Sequence, residues 1–259
     1  MDSRWEPAVY KAWEPFIPQR SLWIGPSDPL VHFVRWALEY RVYLSLLCGL
    51  RQSGSVLELG CGHGRTMLGL VGYLNWNARY EGLDINAEQI DFAQRNIHGA
   101  LPMFNFTHAD IFHPVYNPAG KERAEGYRFP YDDASFDVVY AASVFTHLLP
   151  AAIENYFRES QRVLKKGAKC LFSVFILDYY GGPGSSMTKY YEFQHNMERG
   201  VGAVHDDETP EKLVAYRKAY IEQAACNAGL EVVSVIPGFW SCTQAVCVNE
   251  QDLVLLRRI

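Results

Sequence analysis

The chain lacks the cysteine patterns, long apolar runs and targeting segments that would assign it to several classes of protein. Its six cysteines are spread over 259 residues without a C-x-x-C pair, so we expect neither a bound metal nor a disulfide framework. No apolar run approaches the roughly 20 residues that a membrane-spanning helix needs. The first residues do not follow the basic-then-apolar pattern of a signal peptide. These absences favour a cytoplasmic protein with reduced thiols.

The chain also lacks an excess of basic residues. It has 24 Lys and Arg against 29 Asp and Glu, which gives a net charge of −5, and the two signs are mixed along the sequence. Because nucleic-acid binding depends on basic patches that neutralise phosphates, we expect neither nucleic acid nor a membrane as a partner. The expected partner is a small-molecule substrate. The oligomeric state stays open, with a homodimer as one option.

What the sequence does have is the alternation typical of an α/β protein. From residue 55 onward, short apolar runs alternate with helical patterns, and 49% of all residues are hydrophobic. Such alternation produces right-handed crossovers and a mostly parallel sheet. No helix separates the last two strands, so they should form an antiparallel pair. We predict a Rossmann-like, seven-stranded, mostly parallel sheet with helices on both faces, an antiparallel last strand and an aromatic-rich cap.

The apolar periods and their flanking residues give the positions of the predicted elements. An irregular, proline-rich and aromatic arm over residues 1–27 precedes a main domain over residues 28–259, with long insertions at about 112–131 and 178–208 that suggest lids. Asn86 caps one helix, and Gln89 follows it as in a capping box. The predicted strands are 56–59, 80–84, 104–107, 136–140, 170–175, 231–236 and 252–257, and the predicted helices are 27–50, 65–74, 86–99, 150–164 and 209–229.

The most informative run is VLELGCGHGR at residues 56–65, where a buried strand leads into a glycine-rich turn predicted to open a helix. Glycine permits positive φ and a close approach of ligand to backbone, and the start of a helix has free N–H groups. A dinucleotide site requires G-x-G-x-x-G, whereas here Arg65 occupies the last position. Free amides beside the carboxylate of Glu58 suit the zwitterion of S-adenosylmethionine (SAM) better than a pyrophosphate. A purely structural glycine turn is the alternative.

Two further acids follow the next strands. Asp84 ends the second predicted strand, where a carboxylate can accept both hydroxyls of a ribose and would exclude a 2′-phosphate. Asp110 follows the third, where it can accept from an adenine amino group. A lone Asp at a strand end is more often a turn cap. Acids at three successive strand ends, Glu58, Asp84 and Asp110, favour an adenosyl ligand.

Together, residues 58–64, Asp84, Asp110 and the strand at 136–139 resemble the successive motifs of class I SAM-dependent methyltransferases, over roughly residues 28–259. The resemblance implies SAM as cofactor and S-adenosylhomocysteine as product. The glycine turn would then hold the methionine part, the second acid the ribose and the third the adenine, while the end of the fourth strand would face the reacting sulfur. The implied cofactor-binding residues are Glu58, Gly60, Cys61, Gly62, Gly64, Asp84, Ile85, Asp110, Ile111 and Ala141.

A narrower resemblance concerns the acceptor. The runs RFPY at 128–131, SVFTHL at 143–148 and PGFW at 237–240 are similar to small-molecule methyltransferases of bacterial glycan and natural-product pathways. This likeness implies O-methylation of a hydroxyl on a sugar or natural product, with N- or C-methylation as alternatives. A nicotinamide-dependent oxidoreductase, a non-catalytic SAM-binding protein and a protein methyltransferase are the other hypotheses. The glycine spacing and the antiparallel last strand argue against the oxidoreductase.

Several residues are candidates for the chemistry itself. His147 lies just past the fourth predicted strand, and its ordinary pKa of about 6.5 suits a base that takes a proton from a hydroxyl acceptor. Alternatively, it holds the following helix or contacts the methionine part of SAM. His195, His205 and Asp206, in or near the second insertion, are alternative bases, each with a solvated-loop role as the other interpretation.

Aromatic residues crowd the second insertion, which contains Tyr190 and Phe193 among others. They can form a lid that stacks on an acceptor and excludes water, or they can pack as a cap on the sheet edge. Trp5 and Trp13 can add to such a cap. Asp178 is placed to orient a substrate hydroxyl, and Trp240 to line the acceptor pocket. The expected substrate-binding residues are Trp23, Asp178, Tyr179, Tyr180, Tyr191, His195 and Trp240.

Overall fold

A computed structural model describes most of the chain and divides it into two units, Met1–Ala109 and Asp110–Ile259. Among the described residues, no helix combines the length and apolar character needed to cross a membrane. Trp5, Trp23, Tyr190 and most of the predicted arm lie outside the described residues, although Trp13 is described and buried. The described residues are 13–18, 29–182, 184, 191–241, 247 and 249–259.

The first unit contains three parallel strands, β1 (Ser55–Leu59), β2 (Arg79–Asp84) and β3 (Phe104–His108). Strand β2 lies between the other two, so that Tyr80 is paired with Val56 on one side and with Phe104 on the other. The interior residues of β1 and β2 are almost all buried, as expected for strands covered on both faces of a parallel sheet. The three predicted strands are therefore confirmed, to within one residue at each end.

Two α-helices accompany these strands. Helix α1 (Pro29–Leu46) ends four residues earlier than predicted, and helix α2 (Ala87–Ala93) continues into a π-helical turn, Gln94–His98. The predicted N-cap is confirmed, since the Asn86 side chain accepts from the amide of Gln89 at 3.1 Å. The capping box is only half formed, because the amide of Asn86 donates to Asp84 instead of to Gln89.

The predicted helix at 65–74 is wrong. The structure has a series of turns there, with a short 3₁₀-helix at Met67–Leu70. The reason is tight packing against α1: a Cβ built on Gly69 would lie 1.9 Å from the carbonyl oxygen of Ala37. Gly72 then has a φ of +77°, which a regular helix does not permit. The apolar periodicity of this stretch reflects burial of its turns rather than a continuous α-helix.

The second unit supplies the other four strands of the main sheet. These are β4 (Phe136–Ala141), β5 (Leu164–Val174), β9 (Leu230–Ile236) and β10 (Asp252–Arg258). Strands β4 and β5 are parallel, whereas β10 is antiparallel to both β5 and β9. The strand order is β3-β2-β1-β4-β5-β10-β9. This order confirms the predicted seven-stranded, mostly parallel sheet with an antiparallel last strand.

A three-stranded antiparallel sheet lies in the second unit as well, and it overturns the helix predicted at 209–229. Its strands are β6 (His195–Asn196), β7 (Gly202–Val204) and β8 (Val214–Tyr216), in that order. Strand β8 occupies part of the predicted helix because its buried residues pair with β7. Only Lys218–Asn227 is α-helical, and a 3₁₀-helix, Pro210–Lys212, precedes β8.

The insertion at 112–131 has no helix or regular strand, but part of it is bonded to helix α3 (Pro150–Val163). The side chain of Asn155 donates to the carbonyl of Ala124 at 2.8 Å. Arg162 donates to the carbonyl of Tyr131, also at 2.8 Å. These bonds argue against movement of residues 124–131 as a lid, and the lid role of this insertion stays a prediction.

We predict that Gly69→Ala destabilises the protein by about 2–3 kcal/mol, because the added methyl group collides with the backbone of Ala37 and forces overpacking. Urea unfolding measures the loss. Gly126→Ala is the matched control, since nothing lies within 4 Å of its added Cβ; its change should stay within about 0.5 kcal/mol. Equal unfolding midpoints for the two variants would show that the contact with α1 is not tight.

Candidate functional site

The glycine-rich turn after β1 has three residues in the left-handed region. Gly60, Gly62 and Gly64 have φ values of +72°, +53° and +84°. A Cβ on Gly62 would lie 2.8 Å from the side-chain oxygen of Gln89, and one on Gly64 would lie 2.7 Å from a methyl group of Ile97. Backbone conformation and space therefore both require glycine at positions 62 and 64.

The amides of this turn are bonded within the first unit, contrary to the expectation that they are free. Gly60 and Cys61 both donate to the carbonyl of Leu83, at 2.7 and 3.3 Å. Gly64 donates to the carbonyl of Cys61 at 2.9 Å, and Gly62 donates to Asp84 Oδ2 at 2.7 Å. No α-helix begins at the turn, so the helix N-terminus that binds pyrophosphate in dinucleotide folds is missing here. The turn does not present the row of N–H donors that a pyrophosphate needs.

Asp84 is the half-buried acceptor at this turn. Its two carboxylate oxygens accept from the amides of Gly62 and Asn86, at 2.7 and 2.8 Å. Burial raises the pKa of this carboxyl group, and hydrogen bonds from Asn86, Gly62 and Ile85 oppose the rise. A carboxylate has about four lone-pair positions, so at least one remains for a donor on a ligand. SAM carries hydrogen-bond donors on its ribose hydroxyls and on its ammonium group. The acceptor side chain of Asp84 therefore fits SAM.

Glu58 and Cys61 lie in the interior of the first unit. Glu58 is buried, and its carboxylate oxygens accept from the hydroxyl groups of Thr66 and Tyr80. Burial raises the pKa of the Cys61 thiol, which is therefore protonated and unreactive at neutral pH. Glu58 thus joins β1, β2 and the turn. Direct contact of either side chain with SAM stays a prediction.

The remaining predicted cofactor residues lie at or beyond the strand ends. Ile85 follows β2 and is half-buried, and Ala141, at the end of β4, is fully buried. Asp110 is half-exposed and pairs with Lys121 at 3.0 Å, while the buried Ile111 forms an isolated bridge with Glu122. Lys121 is a neighbour that the sequence did not single out, because it follows Asp110 by eleven residues in an irregular segment.

His147 follows β4 in a 3₁₀-turn, Phe145–His147. Its Nδ1 lies 3.1 Å from the carbonyl oxygen of Glu211. Because a carbonyl only accepts, Nδ1 carries the proton and Nε2 keeps its lone pair when the ring is neutral. Burial lowers the pKa of His147 to about 4. The pKa of His147 thus lies below the ordinary value of about 6.5 for histidine, and the ring is neutral at pH 7.

Two residues beside His147 were missed by the sequence analysis. The Tyr116 hydroxyl lies 3.5 Å from Nε2 of His147, and the ring of His113 lies edge-on to His147 with centroids 6.2 Å apart. Both belong to the insertion at 112–131, whose lack of periodicity gave no signal for them.

Ser143, which lies in the run SVFTHL at 143–148, has a φ of +60°. This conformation is uncommon for a residue other than glycine.

The alternative polar candidates serve local structure. Asp178 accepts from the amide of Lys218 at 2.7 Å, at the start of the helix α4 (Lys218–Asn227). His205 contacts the carbonyl of Glu192 at 2.8 Å. Exposed His195 lies 3.5 Å from Asp207. Asp206 accepts from two amides of its own turn and from Lys212, whose ammonium group lowers the pKa of the carboxyl group.

The aromatic candidates form a packed cluster in the second unit. Trp240 has no exposed surface, stacks on Tyr180 with ring centroids 5.7 Å apart, and donates its indole N–H to the buried Asp252 at 2.8 Å. Trp240 thus belongs to the packed interior, and its expected place in the lining of the acceptor pocket stays a prediction. Tyr179 is half-buried outside the cluster, and burial raises the pKa of its hydroxyl. The cluster comprises Phe175, Leu177, Phe193, Ala203, Leu213, Ala215 and Trp240, with Tyr180 and Tyr191 packed against it.

Comparisons with known proteins agree with this geometry. Residues 57–172 match the family model described as "Methyltransferase domain". A sterol 24-C-methyltransferase of Schizosaccharomyces pombe is 26% identical over 175 residues, which are 66% of this chain and 40% of that protein. A fatty-acid O-methyltransferase of Mycolicibacterium smegmatis is 32% identical over 123 residues, 46% of this chain and 36% of that protein.

A solved SAM-dependent methyltransferase from Clostridium acetobutylicum has the same fold. Its TM-score is 0.56 at 13% identity, and the match covers 86% of this chain and 91% of that one. The chain spans well under half the length of the first curated relatives that it matches. Residues 57–172 thus match a methyltransferase domain, and the chain has the fold of a solved SAM-dependent methyltransferase. Both findings support SAM as the cofactor.

We predict that Asp84→Asn weakens SAM binding by at least about tenfold, because the amide group cannot accept from both backbone donors and from a ribose. Calorimetric titration with SAM measures the loss. Asp91→Asn is the matched control, since Asp91 is exposed and pairs only locally with Arg95; its affinity should not change. A folded Asp84→Asn protein that binds SAM as tightly as the unchanged chain would exclude Asp84 from the cofactor site. Binding of NADH but not SAM by the unchanged chain would refute the cofactor assignment itself.

Proposed function

We propose that this chain transfers a methyl group from SAM to a hydroxyl group of a small molecule, with His147 as the base. The observation that carries the proposal is the Nε2 lone pair of a neutral His147, which is set by the Nδ1 contact with Glu211. An acceptor-only nitrogen binds groups that carry a hydrogen, such as a hydroxyl or a neutral amine. It gives no hydrogen bond to a carboxylate.

The cofactor part of the proposal rests on the first unit. In the glycine turn, the backbone amides already donate hydrogen bonds within this unit; they are those of Gly60, Cys61, Gly62 and Gly64. A ligand bound at the turn should therefore supply hydrogen-bond donors of its own. We assign the ribose hydroxyls to Asp84 and the methionine part to the turn. Asp110 remains the proposed partner of the adenine amino group. The whole proposed set is Glu58, Gly60, Cys61, Gly62, Gly64, Asp84, Ile85, Asp110, Ile111 and Ala141.

When bound, SAM supplies a methyl group on a sulfonium sulfur and leaves as the neutral thioether S-adenosylhomocysteine. His147 accepts a hydrogen bond from the acceptor hydroxyl at Nε2 and so orients the oxygen. As the oxygen–carbon bond forms, the oxygen–hydrogen bond breaks and the proton passes to Nε2, giving an imidazolium ring and a methyl ether. Glu211 keeps the Nδ1 proton in place throughout. A base with a pKa of about 4 is weak, so its main contribution is to orient the hydroxyl and take its proton late in the reaction.

The relatives differ in the atom that their names specify. One is named for a sterol carbon and another for a fatty-acid oxygen, so similarity alone does not choose the acceptor. The structure supports a neutral hydroxyl over a carboxylate, because an ionised fatty acid has no hydrogen to donate to His147. Hydroxyls of sugars and natural products remain the proposed class. The cytoplasmic location and the homodimer stay predictions.

The acceptor atom can be determined without knowing the acceptor. The full chain is incubated with SAM labelled in its methyl group and a small-molecule extract of the cells that make it. Mild base releases the label from a methyl ester, whereas hydriodic acid is needed to release it from a methyl ether as methyl iodide. We expect base-stable label that hydriodic acid releases. Base-labile label, label that resists both treatments, or no incorporation would each contradict O-methylation of a hydroxyl.

His147→Asn should reduce this incorporation by about 100-fold or more, because the amide group can still donate to Glu211 but offers no basic nitrogen. SAM affinity, measured by calorimetry, should change by less than about twofold. The matched control is His98→Asn, whose ring makes a similar contact with the carbonyl of Phe104 at 2.9 Å in the first unit. Equal incorporation by the two variants would remove His147 from the reaction.

The pH dependence should follow the lowered pKa of His147. With a pKa of about 4 the ring keeps its lone pair from alkaline pH down to weakly acidic pH, so incorporation should be flat through pH 6.5 and fall only as the pH approaches 4. Burial also lowers the pKa of the neighbouring His113, and the positive charge of a protonated His113 would lower the pKa of His147 further. Circular dichroism at each pH separates loss of the base from acid unfolding. A midpoint near pH 6.5 in the loss of incorporation would show that burial does not lower the pKa of His147.

A further inference from the structure

We propose that Tyr116 binds the acceptor together with His147, its hydroxyl contacting the acceptor oxygen, and that His113 positions Tyr116. The inference rests on the proposed function and extends it to residues with no assigned role. The Tyr116 hydroxyl lies 3.5 Å from Nε2 of His147, and the residue is 39% exposed, so a ligand can reach it. All three residues lie in the second unit.

The distance between the two polar atoms supports a shared ligand. A good O–H···N hydrogen bond is about 2.7–3.0 Å long, so 3.5 Å is too long for a strong direct bond between Tyr116 and His147. Two atoms at this separation can both lie about 2.8 Å from one oxygen placed between and in front of them. That oxygen would donate its hydrogen to Nε2 and accept from the tyrosine hydroxyl. A hydroxyl oxygen does both, whereas an ether oxygen can only accept.

His113 determines where Tyr116 points. Its Nδ1 accepts from the amides of Val115 and Tyr116, at 3.1 and 3.2 Å. Its ring lies 4.8 Å from the Tyr116 ring, centroid to centroid. The backbone of His113 also exchanges two hydrogen bonds of 3.0 Å with Asn117. These bonds close the turn that carries Tyr116 and hold its ring beside His147, at a centroid distance of 5.1 Å.

The buried state of His113 preserves this arrangement at neutral pH. Its ring is buried, and burial lowers its pKa. A neutral ring with Nδ1 as acceptor is what the amides of Val115 and Tyr116 require, since a protonated ring has no acceptor nitrogen. His113 does not need to contact the acceptor, and we assign it as a positioning residue.

The test measures binding rather than turnover. The full chain, labelled with ¹⁵N in its histidines and saturated with S-adenosylhomocysteine, is titrated with phenol as a hydroxyl probe and with anisole as the matched probe without a donor hydrogen. Phenol should shift the Nε2 resonance of His147, and anisole should not. Tyr116→Phe should weaken the apparent phenol affinity about tenfold, because one hydrogen bond to the probe is lost. Tyr73→Phe is the control, since its hydroxyl donates to the carbonyl of Leu50 in the first unit.

The role of His113 is tested by rescue. His113→Leu should weaken phenol binding as much as Tyr116→Phe does, whereas His113→Asn should retain most of it, because Asn keeps an acceptor oxygen near the position of Nδ1. Equal losses in both His113 variants, with circular dichroism unchanged, would overturn the positioning role.

The remaining outcomes are also decisive. An identical phenol response in the unchanged chain and in Tyr116→Phe, or no response to phenol at all, would overturn the role of Tyr116. These results would leave the labelled-methyl experiment unaffected. Failure of that experiment in the unchanged chain refutes the proposed function instead, so the two failures are distinguishable.

Discussion

The arrangement of the first unit depends on the carboxylate of Asp84. One side chain accepts from Gly62 in the glycine turn and from Asn86 at the start of α2, so it joins the glycine turn and α2 to the carboxyl end of β2. The same bonds use amides that a phosphate would otherwise bind. A single half-buried acceptor thus fixes the shape of the turn and changes the ligand that the turn suits, from an anion to a molecule that carries hydrogen-bond donors.

In the second unit, burial determines the protonation states of two histidine side chains. His113 and His147 are both held neutral by burial, and each has one ring nitrogen committed to the backbone. The two hydrogen bonds to the backbone differ in direction: Nδ1 of His113 accepts, whereas Nδ1 of His147 donates. His147 therefore keeps a lone pair on Nε2, while His113 shapes the turn that carries Tyr116. Two histidines in similar surroundings are thereby given different roles by their backbone partners.

The predictions from periodicity succeeded where burial and local conformation agree. All seven strands of the main sheet were located from apolar runs between turn residues. Strand β5 nevertheless begins six residues before its predicted start, because residues 164–169 are mostly polar and give no apolar signal. The predictions failed at 65–74 and at 209–217, where apolar spacing fits a helix but contacts distant in sequence decide otherwise. Gly69 packs against the backbone of Ala37, and Val214–Tyr216 pairs with β7. Periodicity records which residues are buried, and in these two stretches it does not distinguish a helix from buried turns or a short strand.

The α/β class, the glycine turn after β1 and the acids at the strand ends could be predicted from the amino-acid sequence, because they depend on residue type and local order along the chain. The tertiary structure was needed to show that the amides of the turn are already bonded, that the pKa of His147 is about 4, and that Trp240 is buried. It alone brought Tyr116 to His147, across 31 positions of sequence. Hydrogen-bond partners and desolvation are set by groups far apart in the chain, and no local pattern encodes them.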